Sequence, residues 1–428
     1  LAWSVLARAG AGVATCSWEY QPMAAPVHIV FTSECNNTQF DWFAVGVFES
    51  FRASGFHGNI TRLLACSAEA LASYKGMSIG EGVGRTFVHP NYRHNPLNGD
   101  VSASYNKPAS VMHWSSEADF TEEFVLFIDA DMLLLKPIDP VAMGAKRGTV
   151  VSERVSYMIG TSNKLAAQFL PPEAVPKAKP VGWYHIFHRD DLRQIAPRWL
   201  HYCGRVRTEP GRYWRLNGTG EDIPTGDAYV QRGQAPWIAE MYGYAFGAAE
   251  VGVEHEITRG VVAYPSELSF GEPYIVHYGI DFNIGSDYNW NKMVYKKLDL
   301  SSCRHRFFGP PPRPANARQR LGAHVVRTLN EAFCGYYRTH CPGQEALLCP
   351  PEERPPFDPA AVKSSGCADL HSNCWSWALD DQCATNPGFM TETCALSCER
   401  CPPPPPSRSP RPPPPAAENP AAATAAAA

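Results

Sequence analysis

Asp129 and Asp131 flank one alanine directly after the apolar run Phe124-Val125-Leu126-Phe127-Ile128. Two carboxylates at i and i+2, at the carboxyl end of a buried strand, stand where open α/β sheets bind ligands. Their hard oxygens suit Mn2+ or Mg2+, which keep positions open for water and phosphate oxygens. An ion held there would stabilise a diphosphate as a leaving group. The plainer alternative is a strand end carrying two solvated aspartates.

Other side chains could complete such a site. His277 ends the apolar run Tyr274-Ile275-Val276 and could be a third metal ligand through a neutral ring nitrogen, or a structural histidine. Glu240 sits in the largely apolar stretch Trp237–Tyr244, where a carboxylate is costly unless it has a task. That task is handling the acceptor hydroxyl or its proton, or a buried structural hydrogen bond. Asn106 and Lys107 precede Pro108 at an expected helix start, a reasonable phosphate or sugar contact. Thr32, Ser33 and Glu34 end the first strand and could meet a nucleotide, or serve as ordinary caps. Asp222 and Asp227 read as surface or turn residues of a Gly-rich loop, though a loop at the mouth of a site could use them. The sequence holds no Walker-type phosphate loop, no Gly-x-Ser-x-Gly elbow and no His-Glu-x-x-His helix, which lowers kinase, hydrolase and metalloprotease readings.

The elements that must position these residues alternate. Val27–Thr32, Ile60–Cys66, Phe124–Ile128, Val181–Phe187 and Tyr274–His277 read as strands. Helical spacing appears from Phe40 to Phe51, after Lys107, around Asp191–His201, around Trp237–Phe246 and at Ala323–Phe333. Such alternation argues for an α/β domain with a mostly parallel sheet over residues 27–300. Residues 1–26 read as a leader or linker. A cysteine-bearing extension follows at 301–350, then a linker at 351–366, a cysteine-dense module at 367–401 and a Pro/Ala-rich tail at 402–428.

The chain has 428 residues, 14 of them cysteine, and a net charge of −4, which gives no case for nucleic acid as a partner. Six cysteines crowd into Cys367–Cys401, and sequons begin at Asn36, Asn59 and Asn217. Together they favour an oxidising, secretory setting, with zinc as the weaker reading of the cluster. No apolar run long enough to span a bilayer occurs, so membrane association is expected only through an anchor not present in this chain.

Several long motifs resemble the plant and algal peptidyl serine α-galactosyltransferases. They are His28–Asn37, Asn59–Cys66, Ser73–Met77, Asn106-Lys107-Pro108, Ile128–Met132 and Glu240–Glu250. Shorter stretches, Ile195–Trp199 and Gly309–Arg313, are similar to the hydroxyproline O-arabinosyltransferases. The resemblance implies a GT-A type fold, UDP-galactose as donor, Mn2+ as the usual metal and retention in an α-linkage. It also implies serines of hydroxyproline-rich, extensin-like wall glycoproteins as acceptors, and action in the endoplasmic reticulum or Golgi lumen. Asp129 and Asp131 would be the metal pair, His277 a further ligand, and Glu240 the carboxylate to test first. Gly182-Trp183-Tyr184-His185 is bulkier than this family leads one to expect, so the acceptor side is expected to be reshaped. The cysteine-dense segment resembles the ShKT module, whose pairing would be Cys367–Cys401, Cys374–Cys394 and Cys383–Cys398. Two other functions stay open: hydroxyproline arabinosylation, and an inactive sugar- or peptide-binding protein with a ShKT interaction module.

Overall fold

The computed structural model describes residues 25–215, 223–267, 273–303, 308–309, 311–343, 349, 382–395 and 398. The leader, the linker, the tail, Asp222, the sequon at Asn217 and Cys367, Cys374 and Cys401 lie outside or almost wholly outside these residues. Two units are distinguished, residues 1–353 and 354–428.

The first unit begins β1 (Val27–Glu34), α1 (Thr38–Ser54), β2 (Ile60–Cys66), α2 (Ala68–Ser73), β3 (Arg85–Pro90), α3 (Asn106–Glu117) and β4 (Phe124–Ile128). It continues through β5 (Met132–Leu134), β6 (Thr149–Arg154), α4 (Ala166–Phe169), β7 (Val181–His188), α5 (Arg189–Thr208) and α6 (Pro210–Tyr213). It finishes with α7 (Ala239–Val251), β8 (Glu254–Thr258), β9 (Val262–Ala263), β10 (Ile275–His277), β11 (Phe282–Ile284), β12 (Tyr288–Trp290) and α8 (Ala317–His340).

The main sheet runs β3-β2-β1-β4-β7-β6-β8. Its strands are parallel except β7, which is antiparallel to both β4 and β6. This is the α/β, mostly parallel architecture expected from the alternating pattern. β1, β2 and β4 are buried along their whole length, as strands covered on both faces must be. The Tyr274–His277 strand forms as β10, in a separate sheet ordered β5-β10-β9.

Helices α3, α5 and α7 pack together on one face around Trp114, Trp199, Tyr244 and Phe246. On α1, the spaced aromatics end at Gly55, whose φ of 72° is the left-handed geometry that closes a helix. α8 is longer at both ends than the segment expected, capped by the Asn316 side chain on Gln319 N, and it packs on α1. Trp42 of α1 is fully buried there, its ring within 6.4 Å of those of Tyr278, Trp290, Phe308 and Phe333. Residues after 300 therefore help build the first unit's core. Disulfides Cys35–Cys66, Cys303–Cys341 and Cys334–Cys349 close loops within this unit.

In the second unit, α9 (Gln382–Thr385) and α10 (Pro387–Thr393) surround buried Met390 and Cys394. Cys383 and Cys398 are joined there, the pairing expected of a ShKT module.

Candidate active site

Register assembles the acidic end of β4. Asp129 and Asp131 follow β4, and the chain continues at once into β5, which pairs antiparallel with β10 so that Met132 faces His277. The Tyr278 amide donates to the Asp131 carbonyl at 3.2 Å, which draws His277 back over the turn. Its Nε2 then lies 3.1 Å from Asp131 Oδ1. One donor atom each from Asp129, Asp131 and His277 lies within 4.8 Å of the others.

Two lysines neutralise this cluster. Lys107 Nζ, from the first turn of α3, lies 2.7 Å from Asp129 and 3.0 Å from Glu240. Lys292 Nζ contacts the second oxygen of Asp131. Burial alone would raise the Asp131 carboxyl, but His277 and Lys292 hold it far below the usual carboxylate range. Burial raises Glu240, and Lys107 offsets only part of that shift. Lys107 is itself desolvated, yet Asp129 and Glu240 hold its ammonium above the usual lysine value.

Glu240 is positioned by two helices in close contact. A Cβ on Gly243 would come within 2.7 Å of the Cys203 nitrogen, and one on Gly247 within 2.8 Å of the Trp199 nitrogen. These glycines let α7 lie against the α5 backbone, where Trp199 Nε1 donates to the Glu240 carbonyl at 2.8 Å. Asp227, expected as a surface or turn residue, does hold a turn through the Tyr229 amide but is not at the surface. It is buried, and its carboxylate accepts from the amides of Tyr229, Trp237 and Ile238 ahead of α7, because those N–H groups need an acceptor where the loop enters the helix.

Lys107, Asp129, Glu240, His277 and Lys292 face one cavity of about 440 Å³. Trp183 and His185 also line it, whereas the Tyr184 hydroxyl points to Thr258 at 2.7 Å. Trp183 has a φ of 69°, a strained value for a bulky residue, beside a bulge between β6 and β7. His185 is held neutral by burial, its Nδ1 2.7 Å from Ser152 Oγ.

The other expected donor contacts sit apart from this lining. Glu34 accepts two hydrogen bonds from Arg93 and one from Asn91. Asn106 accepts from the Tyr92 amide at 2.7 Å, and Thr32 and Ser33 are buried at the end of β1. Ser33 Oγ and Asn106 Nδ2 are buried polar atoms with no partner among the described residues. Of the described sequons, Asn36 and Asn59 are both exposed, Asn59 donates to Glu122, and the Thr61 of its sequon bonds His28 inside the sheet. Lys292 was missed in the sequence, since it follows a short hairpin with no periodic signal.

Similarity to known proteins runs along most of the chain. It is 33% identical to a peptidyl serine alpha-galactosyltransferase of Chlamydomonas reinhardtii over 88% of its length, and 38% identical to one of Arabidopsis thaliana over 76%. This chain is related to the peptidyl serine alpha-galactosyltransferases. It spans only 55% and 40% of those two relatives' lengths. The hydroxyproline O-arabinosyltransferase RDN2 of Medicago truncatula is more distant, 26% identical over 53% of this chain and 59% of its own length. Residues 58–213 match the hydroxyproline O-arabinosyltransferase family N-terminal domain, and residues 366–401 match the ShK domain-like family. Among solved structures, an active-site mutant of LgtC overlies with a TM-score of 0.38 at 11% identity, covering 64% of this chain and 95% of that one, too low a score to bear on the fold.

Proposed function

We propose that this chain transfers galactose from UDP-galactose to serine hydroxyls of hydroxyproline-rich, extensin-like glycoproteins, in an α-linkage with retention. The observation that carries this reading is the Asp129–Asp131–His277 cluster, of which Asp129 and His277 line the same cavity as Glu240, in a chain related to enzymes of that name.

Two carboxylates and an imidazole within 4.8 Å suit Mn2+ or Mg2+, so the residues present fit a divalent ion. Such an ion, when bound, would neutralise charge building on the departing diphosphate. Lys292 and Lys107 supply fixed positive charge beside the same oxygens and would hold a diphosphate in line. Glu240 lines the same cavity, where it would orient the serine hydroxyl or stabilise the sugar cation. Retention is reached either through a covalent intermediate on a carboxylate or by same-face attack with the phosphate taking the proton. The disulfides accord with folding in an oxidising compartment, read here as the secretory lumen. Among the described residues, no helix is long and apolar enough to cross a membrane.

A donor screen tests the proposal. Full chain with Mn2+ is offered several UDP-sugars and either a Ser-Pro-rich or a hydroxyproline-rich peptide, and the product linkage is determined. Galactosyl-serine is expected. Arabinosyl-hydroxyproline would instead support the second reading, which the family domain over residues 58–213 favours. No turnover with any donor would leave only a binding role.

A further inference from the structure

We propose that Tyr229 and Trp237 form the acceptor-docking platform of this cavity, gripping the proline rings of an extended, serine-bearing polypeptide; this rests on the transferase reading above. Both rings line the cavity that holds Asp129 and Glu240, yet Tyr229 is 68% and Trp237 65% exposed. Each leaves apolar area in water whose burial would stabilise the fold. Their centroids are 6.3 Å apart with planes tilted by 48°, so neither ring covers the other and the pair opens as a V.

The loop that carries them is tethered. Asp227 accepts from Tyr229 N at 3.2 Å through one oxygen, and from Trp237 N at 2.7 Å and Ile238 N at 3.3 Å through the other. Both ends of the 229–237 segment thus hang on one buried carboxylate. Trp214 Nε1 donates to the Gln234 carbonyl at 2.8 Å, which fixes the return limb. Exposed rings on a fixed loop make a preorganised surface, which lowers the cost of ordering on binding.

Paired exposed aromatics suit a polyproline II chain, which is rigid before it binds and presents apolar pyrrolidine faces without backbone N–H groups. The patch is continuous with the cavity, since Tyr157 and Met241 line the same space. A peptide on the V therefore delivers a neighbouring serine towards Glu240. The chain itself offers a probe of this chemistry, Pro402–Pro415, in which Ser407 and Ser409 stand among prolines.

The test uses the full chain and a labelled synthetic peptide of residues 402–415, followed by fluorescence anisotropy; the chain's own copy competes equally in every variant. Trp237→Ala and Tyr229→Ala should each weaken binding roughly 10-fold, and Trp237→Phe should recover most of it. A peptide with its prolines replaced by alanine should bind weakly and no longer distinguish the variants. In turnover, the loss should fall on KM for the peptide rather than on kcat. Unchanged peptide affinity in the double variant, or a loss that falls on KM for UDP-galactose, would overturn the assignment. If the wild type turns over no UDP-sugar, the transferase reading fails, while the binding comparison still decides the role of these rings.

Discussion

Lys107 and Glu240 meet at 3.0 Å, and the same ammonium lies 2.7 Å from Asp129. One cation thus joins the carboxylate at the end of β4 to the carboxylate that opens α7. Replacing it by Lys107→Met leaves two carboxylates facing each other with no charge between them. Turnover should fall about 100-fold or more, with a loss of roughly 3 kcal/mol in stability. Urea unfolding alongside initial rates checks both; wild-type kcat in a folded variant would remove Lys107 from the machinery.

Asp131 carries the metal assignment. Asp131→Asn should abolish the rise in melting temperature that excess Mn2+ gives the wild type, and lower UDP-sugar turnover by about 100- to 1,000-fold. Calorimetric titration with Mn2+ alone reads the site without relying on catalysis. Equal Mn2+ affinity in wild type and variant would show that the ion binds elsewhere.

Buried histidines set the response to acid. Burial pushes His89, His255 and His324 down to about 4, so each stays neutral in the folded chain while the unfolded chain protonates near 6.5. The unfolded state therefore binds more protons between those values. Stability should be full above about pH 6.5 and fall towards pH 4, by on the order of 3 kcal/mol per histidine as an upper limit. Asp41 works the other way: burial pushes it up to about 6, and its contribution is lost as pH rises from 3.8 through 6. His185, held neutral by burial, acts with these histidines and Glu240, raised by burial, acts with Asp41, so the histidines outweigh the carboxyls. Urea midpoints at pH 5 and pH 7 test this, and equal midpoints would refute it.

Gly243 has no room for a methyl group, because the atoms it would meet belong to the α5 backbone. Gly243→Ala should push α7 away from α5, cost about 1–3 kcal/mol, and shift Glu240 enough to lower kcat. A folded variant with wild-type stability would mean the helices separate without strain.

The acidic end of β4 was legible because Phe124–Ile128 is uniformly apolar and stops abruptly at a carboxylate. Glu240 was legible because a lone charge in an apolar helix needs a partner, and Lys107 is that partner. The direction of β7 was not, since an apolar run reads the same both ways along a sheet. Neither was the role of Asp227, whose neighbours are three backbone amides that no side-chain pattern announces. The strand pattern placed His277 only at a strand end, and the family resemblance joined it to Asp129 and Asp131; the contact itself depends on the register of β5 against β10. Glu34 ends a strand where the pattern left a nucleotide contact or an ordinary cap open. In the structure Arg93 and Asn91 hold its carboxylate.

The covering of Trp42 by Phe308 and Phe333 has a consequence for how the protein is made. Synthesis delivers the indole early and its cover late, and domains fold as their residues emerge. Through that interval Trp42 is an adhesive spot on an unfinished chain, open to chaperones and proteases. Chains arrested before residue 308 should be cut near α1, and chains extended past α8 should resist; equal cutting would show that the first half closes without its last helix.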